Sequence, residues 1–184
     1  MVFAHQLHAS QTRKGTSIPY IAHLLAVTAL VITDGGDEDE AIAALLHDAV
    51  EDQGGLKTLQ EISSRFGKRV AMIVDGCTDA YSSPKPPWRE RKERYIEHLK
   101  HAPSEVQRVS LADKLHNARS ILRDLHQNGE DTWNRFSGGK DGTLWYYHSL
   151  VQVFQRQVNS PMVGELVQVV NEIDSLSQKG RAGI

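Results

Sequence analysis

Apolar residues recur along this chain at intervals of three and four positions, which is the period of helices that bury one face. No segment shows the apolar–polar alternation that is typical of a half-buried strand. The pattern predicts helices at about 2–10, 17–31, 37–52, 58–66, 69–79, 88–101 and 103–126, and a C-terminal pair within 142–178 that divides near Pro161. We therefore expect an all-α protein, a single helical bundle of about nine helices.

Residues that favour caps and turns set the expected ends of these helices. Ser17 is suited to cap the second helix, and residues 58–61 have the spacing of a capping box. The acidic run 37–40 lies where a helix N-terminus favours negative charge, and the glycines at 54–55 end that central helix. Residues 137–142, which are rich in glycine, are expected to form a polar loop.

Composition and charge narrow the class of protein. A length of 184 residues suits one domain, 1–184, with a sizeable core. The 21 basic and 23 acidic residues give a net charge of −2, which argues against a general nucleic-acid binder. No apolar run is long enough to span a bilayer, and the first residues lack the pattern of a secretory signal. The single cysteine, Cys77, fits a reducing compartment, so we expect a cytoplasmic protein with neither membrane nor nucleic-acid partners.

Residues 45–52 place one imidazole and three carboxylates in an otherwise apolar helix. Burying such groups without partners is costly, so a buried cluster of this kind is normally paired or bound to a metal. Helical spacing stacks His47 on Glu51 and Asp48 on Asp52, four residues apart in each case. This arrangement could hold a metal ion and place acid and base groups beside it.

The remaining ligands must come from other helices, because this one lacks the second histidine of a His-Glu-x-x-His motif. His23 lies inside an apolar stretch, and Asp113 interrupts a face that should otherwise belong to the core. Taken singly, each is more often an ordinary buried residue with a hydrogen-bond partner. Two imidazoles and two carboxylates, completed by water, would suit six-coordinate Mn²⁺ or a related ion better than a thiolate zinc site.

Four blocks of residues, in order and with compatible spacing, carry a family resemblance over about residues 1–125. They are His8-x-x-Gln11-x-Arg13-Lys14 with Pro19-Tyr20-Ile21-x-His23, then Ala44-Leu45-Leu46-His47-Asp48-x-x-Glu51-Asp52, then Phe66-Gly67-x-x-Val70-Ala71-x-Ile73-Val74-Asp75-Gly76-Cys77-Thr78, and Leu111-Ala112-Asp113-Lys114-Leu115-His116-Asn117-x-Arg119. The chain resembles the HD-domain superfamily of metal-dependent phosphohydrolases. Within it, the chain is similar to the small alarmone hydrolases, the hydrolase-only branch of the RelA/SpoT homologues.

The resemblance implies a metal centre with an acid pair. The implied metal ligands are His23, His47, Asp48 and Asp113. The usual ion is Mn²⁺, one per chain, although other divalent ions are compatible with these ligands. Glu51 and Asp52 would orient and activate the attacking water.

The resemblance also implies contacts with a nucleotide. Arg13 would face the base, Lys14 the phosphate or ribose, and Asn117 the ribose or base. Ser120 falls where the family often has a small hydroxyl residue in the pocket. Lys140 lies beyond the resemblance; either it reaches a 5′-phosphate or it is a solvated loop lysine.

The implied activity is removal of the 3′-pyrophosphate from (p)ppGpp, (p)ppApp or both, with release of PPi. No segment is left for an alarmone synthetase, so hydrolysis without synthesis is expected, and a homodimer is expected from the family alone. One alternative is another HD-type phosphohydrolase, such as a nucleotidase or phosphodiesterase. The other is a helical module that binds nucleotides without turnover.

The chain also departs from the family pattern. Leu24 follows His23 where the family usually has proline, and the spacer before Pro19 is short, which leaves the choice between guanine and adenine open. Between the third and fourth blocks, the charged helix 88–101 is predicted to be a solvated amphipathic face, because its acids balance most of its bases. Residues 145–146 are expected to belong to the core.

Overall fold

The structure is a computed structural model that describes residues 1–81 and 84–179, with the side chain of Lys179 excepted. These residues confirm the all-α prediction, since they form no strand and only one isolated β-bridge, between Thr12 and Pro19. The helices are α1 (Val2–Leu7), α2 (Ile21–Thr33), α3 (Glu38–Leu46), α4 (Ala49–Asp52), α5 (Leu56–Phe66), α6 (Lys68–Cys77), α7 (Trp88–Leu99), α8 (Ser104–Asn128), a 3₁₀ helix (Gly129–Arg135), α9 (Gly139–Gln157) and α10 (Pro161–Lys179). Residues 82–83, between the predicted helices 69–79 and 88–101, and the last five residues of the expected domain 1–184 lie outside the described residues.

The 25-residue helix α8 forms the centre of the bundle and packs against α2, α3, α6 and α10. Its buried positions follow one another on several faces, as expected of a helix with neighbours on more than one side. Leu111, Ala112 and Leu115 are fully buried, and Asp113 is buried among them. A carboxylate therefore lies at the centre of the core, where it needs partners.

Helix α2 contributes a second wall of the core. It has no charged residue, and Leu24, Val27 and Val31 are fully buried on its inner face. The prediction that Ser17 caps the second helix is wrong, because α2 begins after Tyr20 without a side-chain cap. The preceding segment is instead a narrow hairpin closed by the β-bridge at Thr12, so the turn occupies the positions that a longer helix would need.

The predicted central helix is interrupted at His47 and Asp48. Helix α3 ends at Leu46, and α4 is a single turn that begins at Ala49, with Asp48 at φ −95° and ψ −4° between them. His47 Nδ1 donates to the carbonyl of Ala44 at 2.8 Å, which fixes the ring at the end of α3. The prediction of one continuous helix is therefore wrong, although the amide of Asp52 still donates to the carbonyl of Asp48 at 3.0 Å, as in a helical turn.

Helices α3 and α5 begin with different kinds of cap. Asp37 and Glu40 form a reciprocal capping box at the start of α3, in agreement with the acidic run predicted there. The capping box predicted at 58–61 is wrong, since α5 begins at Leu56 after two glycines with positive φ. Thr58 instead donates from Oγ1 to the carbonyl of Gln53, which closes the glycine turn.

The glycine-rich segment 137–142 is mostly helical, so the loop prediction is wrong from Gly139 onward. Gly138 and Gly142 lie against the ring of Trp88, where an added Cβ would come within 2.6 and 3.2 Å of ring carbons. Glycine at these positions therefore lets α9 approach the start of α7 closely. The predicted C-terminal pair that divides near Pro161 is confirmed by α9 and α10. No helix in 1–81 or 84–179 is both long enough and apolar enough to cross a membrane.

Candidate active site

Four side chains meet where α2, α8 and the α3–α4 junction come together. His23 Nε2 lies 3.2 Å from Asp113 Oδ1 and 3.5 Å from Asp48 Oδ2. His47 Nε2 lies 3.0 Å from Asp48 Oδ2 and 3.6 Å from Asp113 Oδ1. One ligand atom each from His23, His47 and Asp113 lies within 4.8 Å of the others. The structure thus brings together all four residues that the resemblance implied as metal ligands.

The donor atoms of this cluster fit a divalent cation. The Nε2 atoms of His23 and His47 are buried and find no hydrogen-bond partner in the part of the chain that the structure describes. The Nδ1 atom of each ring is hydrogen-bonded on the opposite side, to His116 and to the carbonyl of Ala44. Such outer contacts orient imidazole ligands, and two nitrogens with two carboxylates suit Mn²⁺ or a similar ion.

The charges of the four side chains in the cluster depend strongly on one another. Burial alone would lower the pKa of His47, but the nearby carboxylates of Asp48 and Asp113 raise it well above its ordinary value. Burial would raise the pKa of Asp113, but Lys114 and the two histidines hold it well below its usual range. Lys114 Nζ lies 2.6 Å from Asp113 Oδ2. The cluster therefore holds its carboxylates in the ionised form, which is the form that binds cations.

The predicted acid pair lies beside the cluster, but its two members have different surroundings. Asp52 lines a cavity that opens beside the cluster, and its Oδ2 accepts a hydrogen bond from Gln11 Nε2 at 2.9 Å. Glu51 Oε1 lies 2.6 Å from Lys85 Nζ, which is also 3.7 Å from Asp52 Oδ1. Burial and the neighbouring charge of Asp79 raise the pKa of Glu51, although Lys85 opposes the shift. A carboxylate with a raised pKa is suited to accept and return a proton near neutral pH.

Gln11 holds the position of Asp52. Its amide oxygen accepts from His8 Nδ1 and from Gln53 Nε2, both at 2.7 Å, which directs its NH₂ group toward Asp52. His8 is itself buried and stacks on Tyr20, with ring centroids 5.2 Å apart. A partly buried network of hydrogen bonds therefore fixes one member of the acid pair.

A cavity of about 730 Å³ opens beside the cluster. Four predicted nucleotide contacts line it, namely Arg13, Lys14, Asn117 and Ser120. Arg13 Nη2 donates to Asn117 Oδ1 at 2.5 Å, and Asn117 Nδ2 donates to Asp113 Oδ1 at 2.5 Å. A chain of hydrogen bonds thus links the cationic edge of the cavity to a candidate metal ligand.

Lys140 is not brought to this cavity, which corrects the suggestion that it reaches a 5′-phosphate. It lies in the first turn of α9, where its Nζ contacts both carboxylate oxygens of Glu130 and the carbonyl of Ser177 at 2.5 Å. Its side chain is only 15% exposed, so the alternative of a solvated loop lysine is also wrong. It joins α9 to the end of α10 and to the 3₁₀ helix.

Several residues of the site were not predicted from the sequence. Tyr20 donates from its hydroxyl to Asp48 Oδ2 at 2.6 Å, and His116 contacts His23. Trp88 and Lys92 line the cavity, so the prediction that helix 88–101 is a solvated face is wrong for that side. The sequence signal for this side was the spacing of Trp88 and Lys92, because residues four positions apart lie on the same face of a helix. Other cavity residues outside the prediction are Lys114, Arg123, Arg135, Phe136, Tyr146 and Tyr147.

Comparisons with known proteins find relatives that cover most of this chain. The family model described as HD domain matches residues 1–144. The guanosine-3′,5′-bis(diphosphate) 3′-pyrophosphohydrolase MESH1 of Xenopus tropicalis is 41% identical over 135 residues, which cover 72% of this chain and 70% of that protein. A solved structure described as a metazoan ortholog of SpoT that hydrolyzes ppGpp superposes with a TM-score of 0.76 at 28% identity, covering 93% of this chain and 91% of that one. Protein lmo0812 of Listeria monocytogenes EGD-e superposes with a TM-score of 0.73 at 31% identity, covering 86% and 99%.

Proposed function

The chain belongs to the HD domain family, and from that membership we propose that it is a manganese-dependent 3′-pyrophosphohydrolase of purine-nucleotide alarmones. The substrates are (p)ppGpp, (p)ppApp or both. The oxygen of water bonds to the phosphorus next to the ribose, and the bond from that phosphorus to O3′ breaks. O3′ takes up a proton, so the products are PPi and a 5′-nucleotide with a free 3′-hydroxyl. The observation that carries the proposal is the pair of buried imidazole nitrogens that face two carboxylates at the edge of a cation-lined cavity.

In this proposal, the four residues of the cluster, His23, His47, Asp48 and Asp113, would hold one Mn²⁺. When bound, it supplies charge neutralisation for the pyrophosphate and acidity to water. Tyr20 holds Asp48 through its hydroxyl, so that this carboxylate keeps its orientation. The nitrogen and oxygen donors favour Mn²⁺ over ions that prefer thiolate ligands.

Glu51 and Asp52 handle the proton of the attacking water. Asp52 faces the cavity and is held by Gln11, while Glu51 has a raised pKa and a lysine partner. Glu51 accepts the proton, and Asp52 orients the water toward phosphorus. Lys85, which contacts both carboxylates, limits the repulsion between them.

The cavity wall carries the charge that a nucleotide with several phosphates requires. Lys14, Lys92 and Lys114 contribute ammonium groups, and Arg13 contributes a planar guanidinium suited to stack on a purine. Asn117 and Ser120 offer short polar side chains for the ribose or base. Long-range attraction of a polyanion to this wall also favours association.

The test is product analysis with purified protein and Mn²⁺. ppGpp, ppApp, 2′,3′-cyclic AMP and deoxynucleoside triphosphates would each be incubated, and the products separated by anion exchange. We expect PPi from the 3′-pyrophosphorylated nucleotides alone. Release of product only from the other substrates would instead assign a different HD-type phosphohydrolase, and tight binding without product would assign a non-catalytic module.

Substitutions test which side chains are required for PPi release. His47→Ala, Asp113→Ala and Glu51→Ala are each expected to abolish PPi release, because each removes a proposed ligand or the proposed base. Glu61→Ala is the control, since Glu61 pairs with Arg65 on the exposed side of α5. Full activity in any of the first three variants would contradict the assignment.

A further inference from the structure

The Nδ1 atoms of His23 and His47 contact different kinds of group. His47 Nδ1 faces the backbone carbonyl of Ala44 at 2.8 Å. A carbonyl only accepts hydrogen bonds, so the proton of a neutral His47 must lie on Nδ1. His23 Nδ1 instead faces His116 Nδ1 at 2.7 Å, with ring centroids 4.8 Å apart. An imidazole nitrogen can donate or accept, so this contact leaves the direction of the hydrogen bond open.

A cation on the cluster removes that freedom. His23 Nε2 is the atom that faces Asp48 and Asp113, and ligation there uses its lone pair. The proton of neutral His23 must then lie on Nδ1, and it points at His116. Two protons cannot share this short contact, so His116 Nδ1 accepts and the proton of His116 lies on Nε2.

The Nε2 atom of His116 takes no part in the contact with His23, which uses Nδ1. The ring of His116 forms part of the cavity wall, together with Arg13, Asn117 and Arg123. Within residues 1–81 and 84–179, no side chain or backbone group forms a hydrogen bond with this nitrogen. Its N–H therefore lies at a cationic surface where oxygen atoms of a nucleotide would be attracted.

We propose that His116 is a positioning residue for His23 and, in the metal-loaded protein, an uncharged N–H donor to a phosphate or ribose oxygen of the substrate. The metal sets the direction of the His23–His116 hydrogen bond, and that direction places a donor in the cavity. Loading of the metal and recognition of the substrate are thus coupled through one imidazole. The inference rests on the proposed function, since it takes the cluster as the metal site and the cavity as the nucleotide site.

Nitrogen NMR tests the proton positions directly. The ¹⁵N-labelled protein is loaded with Zn²⁺ as a diamagnetic probe, and two-bond ¹H–¹⁵N correlations of the imidazoles are recorded. We expect His116 protonated at Nε2 and unprotonated at Nδ1, and His23 protonated at Nδ1. A proton on Nδ1 of His116, or on both of its nitrogens, overturns the proposal.

Two variants separate the two roles. His116→Phe keeps a ring but offers His23 no acceptor, whereas His116→Asn restores an acceptor oxygen and is too short to supply the cavity donor. In calorimetric titrations of metal-free protein with Mn²⁺, we expect His116→Phe to weaken binding at least about tenfold and His116→Asn to stay within about threefold of wild type. Both are expected to raise KM for the nucleotide roughly tenfold, as one lost hydrogen bond would.

The positioning role of His116 and the proposed hydrolase function are contradicted by different results. His148→Phe is the matched control, because His148 pairs with Asp174 on the partly exposed side of α9. Unchanged Mn²⁺ affinity in His116→Phe, or failure of His116→Asn to restore it, overturns the positioning role. If a variant does not fold, the NMR measurement on the wild type decides. A wild type that binds Mn²⁺ but releases no PPi overturns the proposed function and leaves the His23–His116 result standing.

Discussion

At the scale of single residues, the types and spacing of the polar groups in the core were predictable, but their hydrogen-bond partners were not. His23 and Asp113 were conspicuous because each interrupts an apolar stretch. Tyr20 and His116 were not, because tyrosine and histidine are common at the edge of a core. Their contacts with Asp48 and His23 depend on how α2, α8 and the α3–α4 junction meet, which helical periodicity leaves undetermined.

Gln11 provides a prediction at this scale. Gln11→Glu replaces the NH₂ group that donates to Asp52 with a carboxylate oxygen, so the two side chains repel each other. We expect kcat for PPi release to fall roughly 100-fold, because a displaced catalytic group is costly even without a change in the metal site. Mn²⁺ affinity, measured by calorimetry, should stay the same.

The control for this prediction is Gln60→Glu, which makes the same change in charge at an exposed position of α5. It is expected to keep wild-type kcat. A Gln11→Glu enzyme with wild-type kcat would show that Asp52 needs no support from Gln11.

At the scale of helices, the positions of most elements were predictable, and the errors have physical causes. The break at His47 and Asp48 lies inside an apolar run with good helix formers, and no glycine or proline marks it. The cavity side of α7 was missed because its charge pattern is balanced, and only packing against α9 shows which residues face inward. Tertiary contacts therefore decide both features.

The junction of α6 and α7 depends on a buried ion pair. The side chain of Asp79 is 4% exposed and contacts Arg91 Nη1 at 2.6 Å and Lys92 Nζ at 2.5 Å. Burial would raise the pKa of Asp79, but the charges of Lys92 and Arg91 lower it from 3.8 to about 2. Because the folded-state pKa is lowered, the contribution to stability is present above the unfolded value and is lost as pH falls through about 2.

Asp79→Asn should therefore lower the free energy of unfolding at pH 7 by about 2–3 kcal/mol, since it leaves two cations without their partner. The difference from wild type should shrink as pH falls from about 5 toward 2. Urea unfolding at several pH values measures it. Glu93→Gln, in an exposed pair with Arg89, is the control and should change stability by less than about 0.5 kcal/mol. A difference that is constant with pH would contradict the ion-pair explanation.

The approach of α9 to Trp88 gives a second prediction for helices. Gly138→Ala places a methyl group 2.6 Å from the ring, so Trp88 must move, at a cost of about 1–3 kcal/mol. Gly164→Ala in α10 meets no atom within 4 Å and should be neutral or stabilising by up to about 1 kcal/mol. Thermal unfolding and tryptophan fluorescence measure both. Equal Tm values for the two variants would show that the contact with Trp88 is unimportant.

At the scale of the whole molecule, the candidate ligands come from segments far apart in the chain. His23 lies on α2, Asp113 on α8, and His47 and Asp48 between α3 and α4. A cation bound to the cluster would bind the folded state and not the unfolded chain. Family likeness predicted which residues share the site, whereas the shape of the cavity required the packing of α7 and α9 against it.

Metal binding should therefore stabilise the fold as a unit. Mn²⁺ at about 100 times its Kd is expected to add about 2.7 kcal/mol to the free energy of unfolding, with a corresponding rise in Tm. A chelator should reverse the rise, and Asp113→Asn should lack it. An unchanged Tm in saturating Mn²⁺ would mean that no cation binds the four-residue cluster.

Because a main-chain carbonyl orients His47, replacement of the side chain at position 44 leaves that hydrogen bond in place. The orientation of His23 depends on a side chain, which a single nucleotide change can replace. We therefore expect substitutions at position 116 to change cation affinity among related sequences. The imidazole at position 47 should keep its orientation in the same sequences.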